Sequence, residues 1–239
     1  MQRFTDPVRF LHFARVASPW CAASSLVLIS LGLYFALFDS PAELYQKQTV
    51  RIMYVHVPSA WMGLFVYTCM AAFSAAFLVW KRPLFGMMCR ASAPIGAVFT
   101  LLCLVSGSFW GKPAWGGWWA WDARLTSMLI LLFLYIGYMA LANAFDNPTR
   151  GTRAAAILAL AGWVNIPIIK FSVDWWSSLH QSSSMMKAGG PAIAPDMLRP
   201  LLLMTAGFTL YYLVVLMFRM RAEIAETHIR AARLRRIGE

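Results

Sequence analysis

The sequence predicts an all-α polytopic membrane protein: six transmembrane helices, both termini cytoplasmic, and a tryptophan-rich outer loop. Three observations carry this expectation. Hydrophobic residues make up 60% of the 239 residues and charged residues only 13%, whereas soluble domains carry about 25% charged residues. Apolar runs repeatedly reach the ~20 residues needed to cross ~30 Å of hydrocarbon. Lysine and arginine alternate between the connecting segments in a strongly biased way, as expected of topology signals.

Taken in order, the first fifteen residues carry Arg3, Arg9 and Arg15 among Phe4, Phe10, Leu11 and Phe13. That mixture is too polar for a signal peptide and reads as a short interfacial helix ahead of the first span. Spans are expected at about 19–38, 57–80, 91–110, 125–145, 154–171 and 197–218, within a single membrane domain covering 1–239. Pro58 sits in the first turn of span two, which fixes the helix start and aims His56 outward. Span five is the weakest, because Asn165, Pro167 and Lys170 interrupt its outer half, and such groups survive where neighbours or a watery cavity satisfy the freed backbone. The tail from Arg219 to Glu239 has helical character, with Glu223 and Glu226 before Arg230 and Arg233. It reads as a solvated helix anchored at lipid headgroups.

Fourteen of the 21 basic residues lie on the N-terminal side of the membrane, including Lys81, Arg82, Arg90, Arg150, Arg153 and six tail arginines. The opposite side holds Lys47, Arg51, Lys112, Arg124, Lys170, Lys187 and Arg199. Both termini are therefore expected in the cytoplasm, with outer loops at about 39–56, 111–124 and 172–196. The net charge of +11 is spread through these flanks and leaves no basic domain to grip a nucleic acid. Cys21, Cys69, Cys89 and Cys103 form no CxxC pair and read as small apolar residues.

Five of the eleven tryptophans, Trp110, Trp115, Trp118, Trp119 and Trp121, fall within twelve positions. An interfacial belt explains one or two per span end, not five. Gly111, Pro113, Gly116 and Gly117 argue against a long regular helix and for a bent loop or re-entrant turn that presents indole faces. Such a surface suits a large, flat, apolar ligand with a polar edge. Asp122 is placed to cap span four, a role compatible with ligand binding. Arg124 is either an interfacial anchor or a partner for a carboxylate. Of four histidines, His12 and His228 fall on the cytoplasmic side, whereas His56 and His180 share the tryptophan face.

The run Trp-Gly-x-Pro-x-Trp-Gly-x-Trp-Trp-x-Trp-Asp-x-Arg-Leu-Thr at 110–126 resembles the WWD signature of haem-handling proteins. Length, six spans, one outer histidine before the signature and one after it, and the segment Val50–Pro58 are similar to the cytochrome c maturation protein C family. The resemblance extends from about Val50 to Met220. It implies a non-enzymatic protein of the bacterial inner membrane that holds haem b on the periplasmic side and presents it to a membrane-tethered haem chaperone. It also implies work beside an ABC-type transporter pair and a small single-span subunit, with membrane lipid all around.

On this reading His56 and His180 are axial iron ligands. Trp110, Trp115, Trp118, Trp119, Trp121, Asp122 and Arg124 contact the macrocycle or its edge. Arg51 either meets a propionate or is a plain interfacial arginine, and Trp175 and Trp176 either roof the site or float at the interface. A b-type electron-transfer subunit is the first alternative, but it needs histidines facing each other within the bundle. A haem-transporting permease subunit is the second, and it needs polar groups near the midplane, where Asn165 is about the only candidate. A larger WWD haem ligase would have more spans and histidines. No Walker motif is present: Gly111-Lys112 is followed by Pro113.

Overall fold

The structure, a computed structural model, describes residues 6–176, 178–180 and 193–237. Arg3, Phe4, Lys187 and most of the last outer loop, and the side chains of Arg230 and Arg233, lie outside the described residues.

Seven α-helices make up the described residues: α1 (Pro7–Tyr34), α2 (Met53–Trp80), α3 (Pro83–Trp115), α4 (Ala123–Asn143), α5 (Pro148–Gly162), α6 (Asn165–Trp175) and α7 (Pro195–Ile237). A π-helical turn, Phe35–Asp39, closes α1, and a 3-10 turn, Gln48–Ile52, leads into α2. With α5 and α6 taken together, six helical segments are long and apolar enough to cross a membrane.

Helix starts follow from local chemistry. Proline opens α1, α3 and α5, where its missing N–H costs nothing. Asp6, Asp122 and Asn147 cap α1, α4 and α5, accepting hydrogen bonds from Val8, Leu125 and Thr149 at 2.9, 2.7 and 2.9 Å. The interruption expected in span five is a true break: α5 ends at Gly162 and α6 begins at Asn165. Asn165 is buried there and donates to the Ser127 carbonyl at 2.9 Å, which satisfies a polar group the break would otherwise strand.

The N-terminal segment differs from the expectation. No separate interfacial helix precedes the first span among the described residues, because α1 runs unbroken from Pro7 to Tyr34. Nothing between Pro7 and Ser18 breaks the ladder, and Ala14 and Ser18 are buried, so continuity keeps every backbone bond.

Packing pairs α2 with α3 and α1 with α7 most extensively. Backbones approach closely where residues are small: a Cβ on Gly207 would lie 2.7 Å from Ile29. The core holds five buried phenols among the described residues, Tyr54, Tyr67, Tyr135, Tyr138 and Tyr212. Tyr135 donates to the Gly63 carbonyl at 2.8 Å, and Tyr212 bonds Ser92 at 3.0 Å. At one end of the bundle Arg90 ties α3 to α4 and α7 through Asn143 (2.9 Å) and Glu223 (3.6 Å). At the other, the start of α2, the end of α3, the start of α4 and the segment after α6 converge.

Candidate functional site: a histidine pair framed by tryptophans

The site is built by the last two turns of α3, which project tryptophans toward two histidines arriving from different elements. Trp110 meets the His56 ring edge-on, with centroids 5.6 Å apart at 75°. Five residues on, Trp115 meets His180 in the same way at 4.8 Å and 68°. Both imidazoles thus lie at the same end of the bundle, each against a tryptophan from the last two turns of α3.

The tryptophan segment departs from the expected bent loop. Trp110 to Trp115 complete α3, Pro113 included, and the chain turns only at Gly116, whose φ of 81° gives the left-handed helix end. Proline disturbs a helix by losing one bond and crowding the preceding turn. At Pro113 the bond given up is the single one to the Phe109 carbonyl, and Gly111 leaves room for the Trp115 ring. Trp118 and Trp121 beyond the turn are exposed. Trp118 packs edge-on against Phe109 at 5.7 Å, and Trp119 against Trp121 at 5.5 Å. The Trp119 Nε1 is buried without a hydrogen-bond partner among the described residues.

His56 is also placed differently from the expectation. The 3-10 turn moves the start of α2 back to Met53, so Pro58 falls beyond the first turn and His56 lies within it. Its ring points into the bundle, not outward. Nδ1 sits 3.0 Å from the Cys103 carbonyl and 3.2 Å from the Ser106 hydroxyl of α3. A carbonyl only accepts, so Nδ1 carries the proton and donates it. The Ser106 hydroxyl itself donates to the Leu102 carbonyl at 2.6 Å, which leaves its lone pair facing the imidazole. Nε2 is then the nitrogen with a free lone pair. Gly107 makes this approach possible, since a Cβ there would lie 2.9 Å from the imidazole Cε1.

His180 reaches the same state by another route. Its Nδ1 is 3.0 Å from Oδ2 of Asp122, and Ser178 donates to that same oxygen at 2.7 Å. The other carboxylate oxygen, Oδ1, caps α4 through the Leu125 amide at 2.7 Å. Burial alone would raise the Asp122 pKa, but the bonds from Leu125, Ser178 and His180 outweigh it and hold the carboxyl below its ordinary 3.8. Burial pushes His180 below its ordinary 6.5, although Asp122 pulls the other way. A neutral imidazole donating Nδ1–H to an ionised carboxylate again leaves Nε2 as the lone-pair nitrogen.

Arg124 donates to the Lys170 carbonyl at 3.4 Å and interacts electrostatically with Asp122 and Asp174. The Arg51 guanidinium is engaged with the Leu37 carbonyl and, at 3.3 Å, with the Ser40 carbonyl, tying the start of α2 to the end of α1. Trp175 stacks on Phe171 at 5.6 Å and 29° and is exposed, as is Trp176.

Sequence reasoning missed four residues that orient this site: Gln46, which accepts from Trp110 Nε1 at 2.7 Å, and Cys103, Ser106 and Ser178. Helical phase offered a signal for two of them. Cys103, Ser106 and Trp110 recur at spacings of three and four, which puts them on one face of α3. Nothing local marked Gln46 or Ser178.

A family model, Heme exporter protein C, matches residues 1–235. A Heme exporter protein C from Bradyrhizobium diazoefficiens is 47% identical over 229 residues, covering 96% of this chain and 87% of its own length. One from Escherichia coli (strain K12) is 46% identical over 221 residues, covering 92% and 89%. A ccmC-like mitochondrial protein of cytochrome c biosynthesis from Marchantia polymorpha is 46% identical over 181 residues, 76% of each chain. With its histidine pair, its tryptophan frame and a match along nearly its whole length, this multi-pass membrane protein belongs to the heme exporter protein C family.

Proposed function

We propose that this protein handles haem for c-type cytochrome biogenesis, holding haem b between His56 and His180 at the periplasmic surface of a bacterial inner membrane. One observation carries the reading: two imidazoles at the same end of the bundle each have Nδ1 tied up as a donor, leaving Nε2 available. That is the state a metal-ligating histidine requires, with the second nitrogen fixing tautomer and ring orientation.

The surrounding residues fit the group. Trp110 and Trp115 supply apolar faces beside the imidazoles, and the orphaned indole N–H of Trp119 is a donor for the macrocycle's carboxylate edge. Arg124 supplies positive charge there. Trp118 and Trp121 extend the apolar surface outward. Arg51 secures the α1–α2 connection through two backbone carbonyls, while its Nε is buried without a partner among the described residues. Bound haem would supply the iron, which His56 and His180 would hold. The chain supplies two neutral, oriented imidazoles, an aromatic frame and a cation.

The distribution of lysine and arginine supports cytoplasmic termini and a periplasmic site. The names of the relatives support haem export and cytochrome c biosynthesis as the setting. Delivery to a haem chaperone, beside ABC-type transporter subunits and a small single-span subunit, completes the proposal. Both histidines lie at one end of the bundle, which weighs against a b-type electron-transfer subunit with ligands facing each other at mid-depth.

The test is the absorption spectrum of protein purified with its natural cofactor, for wild type and for His56→Ala, His180→Ala and Trp119→Ala. Each histidine variant is expected to lose the six-coordinate spectrum and most of the haem. Unchanged spectra in both, or a wild type free of haem even when co-expressed with the chaperone, would overturn the reading.

A further inference from the structure

At the end of the bundle opposite the histidine pair lies a half-open cavity of about 760 Å³ between α2, α3, α5 and α7. Its wall is apolar, formed by Phe77, Leu78, Met87 and Ile157. Its mouth carries Lys81, Arg90 and Arg153 with Glu223 and Glu226. These cations are not equivalent. Arg90 is bound to Glu223 and Asn143, whereas the structure gives Lys81 and Arg153 no ion pair or hydrogen bond among the described side chains. Two cations thus stand over an apolar recess.

The depth of the cavity identifies its occupant. Lys81 directly follows Trp80, half-exposed at the last turn of α2 and packed against Phe85 at 6.1 Å. A tryptophan at a span end sits at headgroup level, with its ring at the boundary between apolar and wet regions. Lys81 itself takes the left-handed conformation, φ 52°, that ends α2, which fixes its backbone at that boundary. An occupant must therefore offer negative charge at headgroup level and hydrocarbon immediately below. A free anion satisfies only the rim, and a neutral lipid only the wall.

We propose that this cavity is a specific glycerophospholipid site, with the headgroup phosphate on Lys81 and Arg153 and an acyl chain along Phe77, Met87 and Ile157. The lipid wedges between α3 and α5, whose starts flank the cavity, and so couples lipid occupancy to the packing of the bundle. This site is separate from the proposed haem site, and neither depends on the other.

The test uses the full-length protein in mild detergent, delipidated and then titrated with palmitoyl-oleoyl phosphatidylglycerol. Bound lipid is counted by native mass spectrometry. Wild type is expected to prefer this lipid to palmitoyl-oleoyl glycerol, which lacks the phosphate, by about tenfold or more, as two headgroup-level cations warrant. Lys81→Gln with Arg153→Gln should abolish that preference, Arg153→Lys should keep it, and Ile157→Trp should weaken binding by filling the recess. Because the comparison between the two lipids needs no variant, a folding defect in the double substitution leaves the test intact. The proposal is overturned if wild type binds both lipids alike, if the double variant retains phosphatidylglycerol as tightly as wild type, or if excess inorganic phosphate displaces the lipid.

Discussion

His180 donates its Nδ1 proton to Oδ2 of Asp122 across 3.0 Å, while the other oxygen of the same carboxylate caps α4 through Leu125. One side chain therefore starts a transmembrane helix and orients a candidate iron ligand. The two tasks separate by substitution. Asp122→Asn keeps an oxygen for the cap but loses the anion, and is expected to weaken haem retention about 10- to 100-fold, as loss of a ligand's outer partner does. Asp122→Ala should add about 1 kcal/mol of lost helix stability. Haem retained through purification and thermal unfolding in detergent read the two effects; equal haem content in wild type and Asp122→Asn would contradict the orienting role.

The pH dependence follows from the same contact. Burial depresses the His180 pKa below 6.5, and Asp122 only partly restores it. A depressed pKa means that the unfolded chain binds a proton the folded site refuses, so the stabilisation is complete above pH 6.5 and declines as pH falls through the folded value. Spectroscopic titration downward from alkaline pH should show His180 ligation intact at pH 6.5. In Asp122→Asn, with the anion gone, release should move to still lower pH relative to total binding. A wild-type midpoint above 6.5 is the contrary result.

Gly107→Ala tests the approach of His56 to α3. The added Cβ would stand 2.9 Å from the imidazole Cε1, tighter than real contacts allow, so the ring must shift from Cys103 and Ser106. Haem content should fall severalfold, with helix content by circular dichroism unchanged. Normal haem retention would show that the His56 seat tolerates displacement.

Gly116→Ala probes the turn after Trp115. No atom crowds that position, so its φ of 81° is the sole obstacle. The left-handed conformation costs a residue with a Cβ about 1 kcal/mol. A small drop in thermal midpoint is expected without change in the haem spectrum, which distinguishes backbone strain from loss of a ligand contact.

Trp110→Phe keeps an aromatic ring against His56 but removes the indole donor to Gln46, at 2.7 Å. The expected loss is about 1 kcal/mol for the bond. Gln46→Ala should match it, and the double variant should cost no more than either alone. Additive losses in that cycle would show that the two side chains act separately.

By itself, the sequence determined the spanning segments, the break in span five, the cap at Asp122 and the residues worth testing as a site. Each of these rests on local chemistry: hydrophobic run length, the backbone needs of Asn165 and Pro167, a carboxylate before a helix, tryptophans too dense for a belt. Only the tertiary structure decided that α3 continues through Pro113, that α2 begins early enough to turn His56 inward, and that α1 is one continuous helix. It also decided which nitrogen of each histidine is free. That depends on the Cys103 carbonyl, 47 residues from His56, and on the Asp122 carboxylate, 58 residues from His180. Such partners meet because helices pack, and spacing along the chain does not record which carbonyl or carboxylate will face a ring once they do.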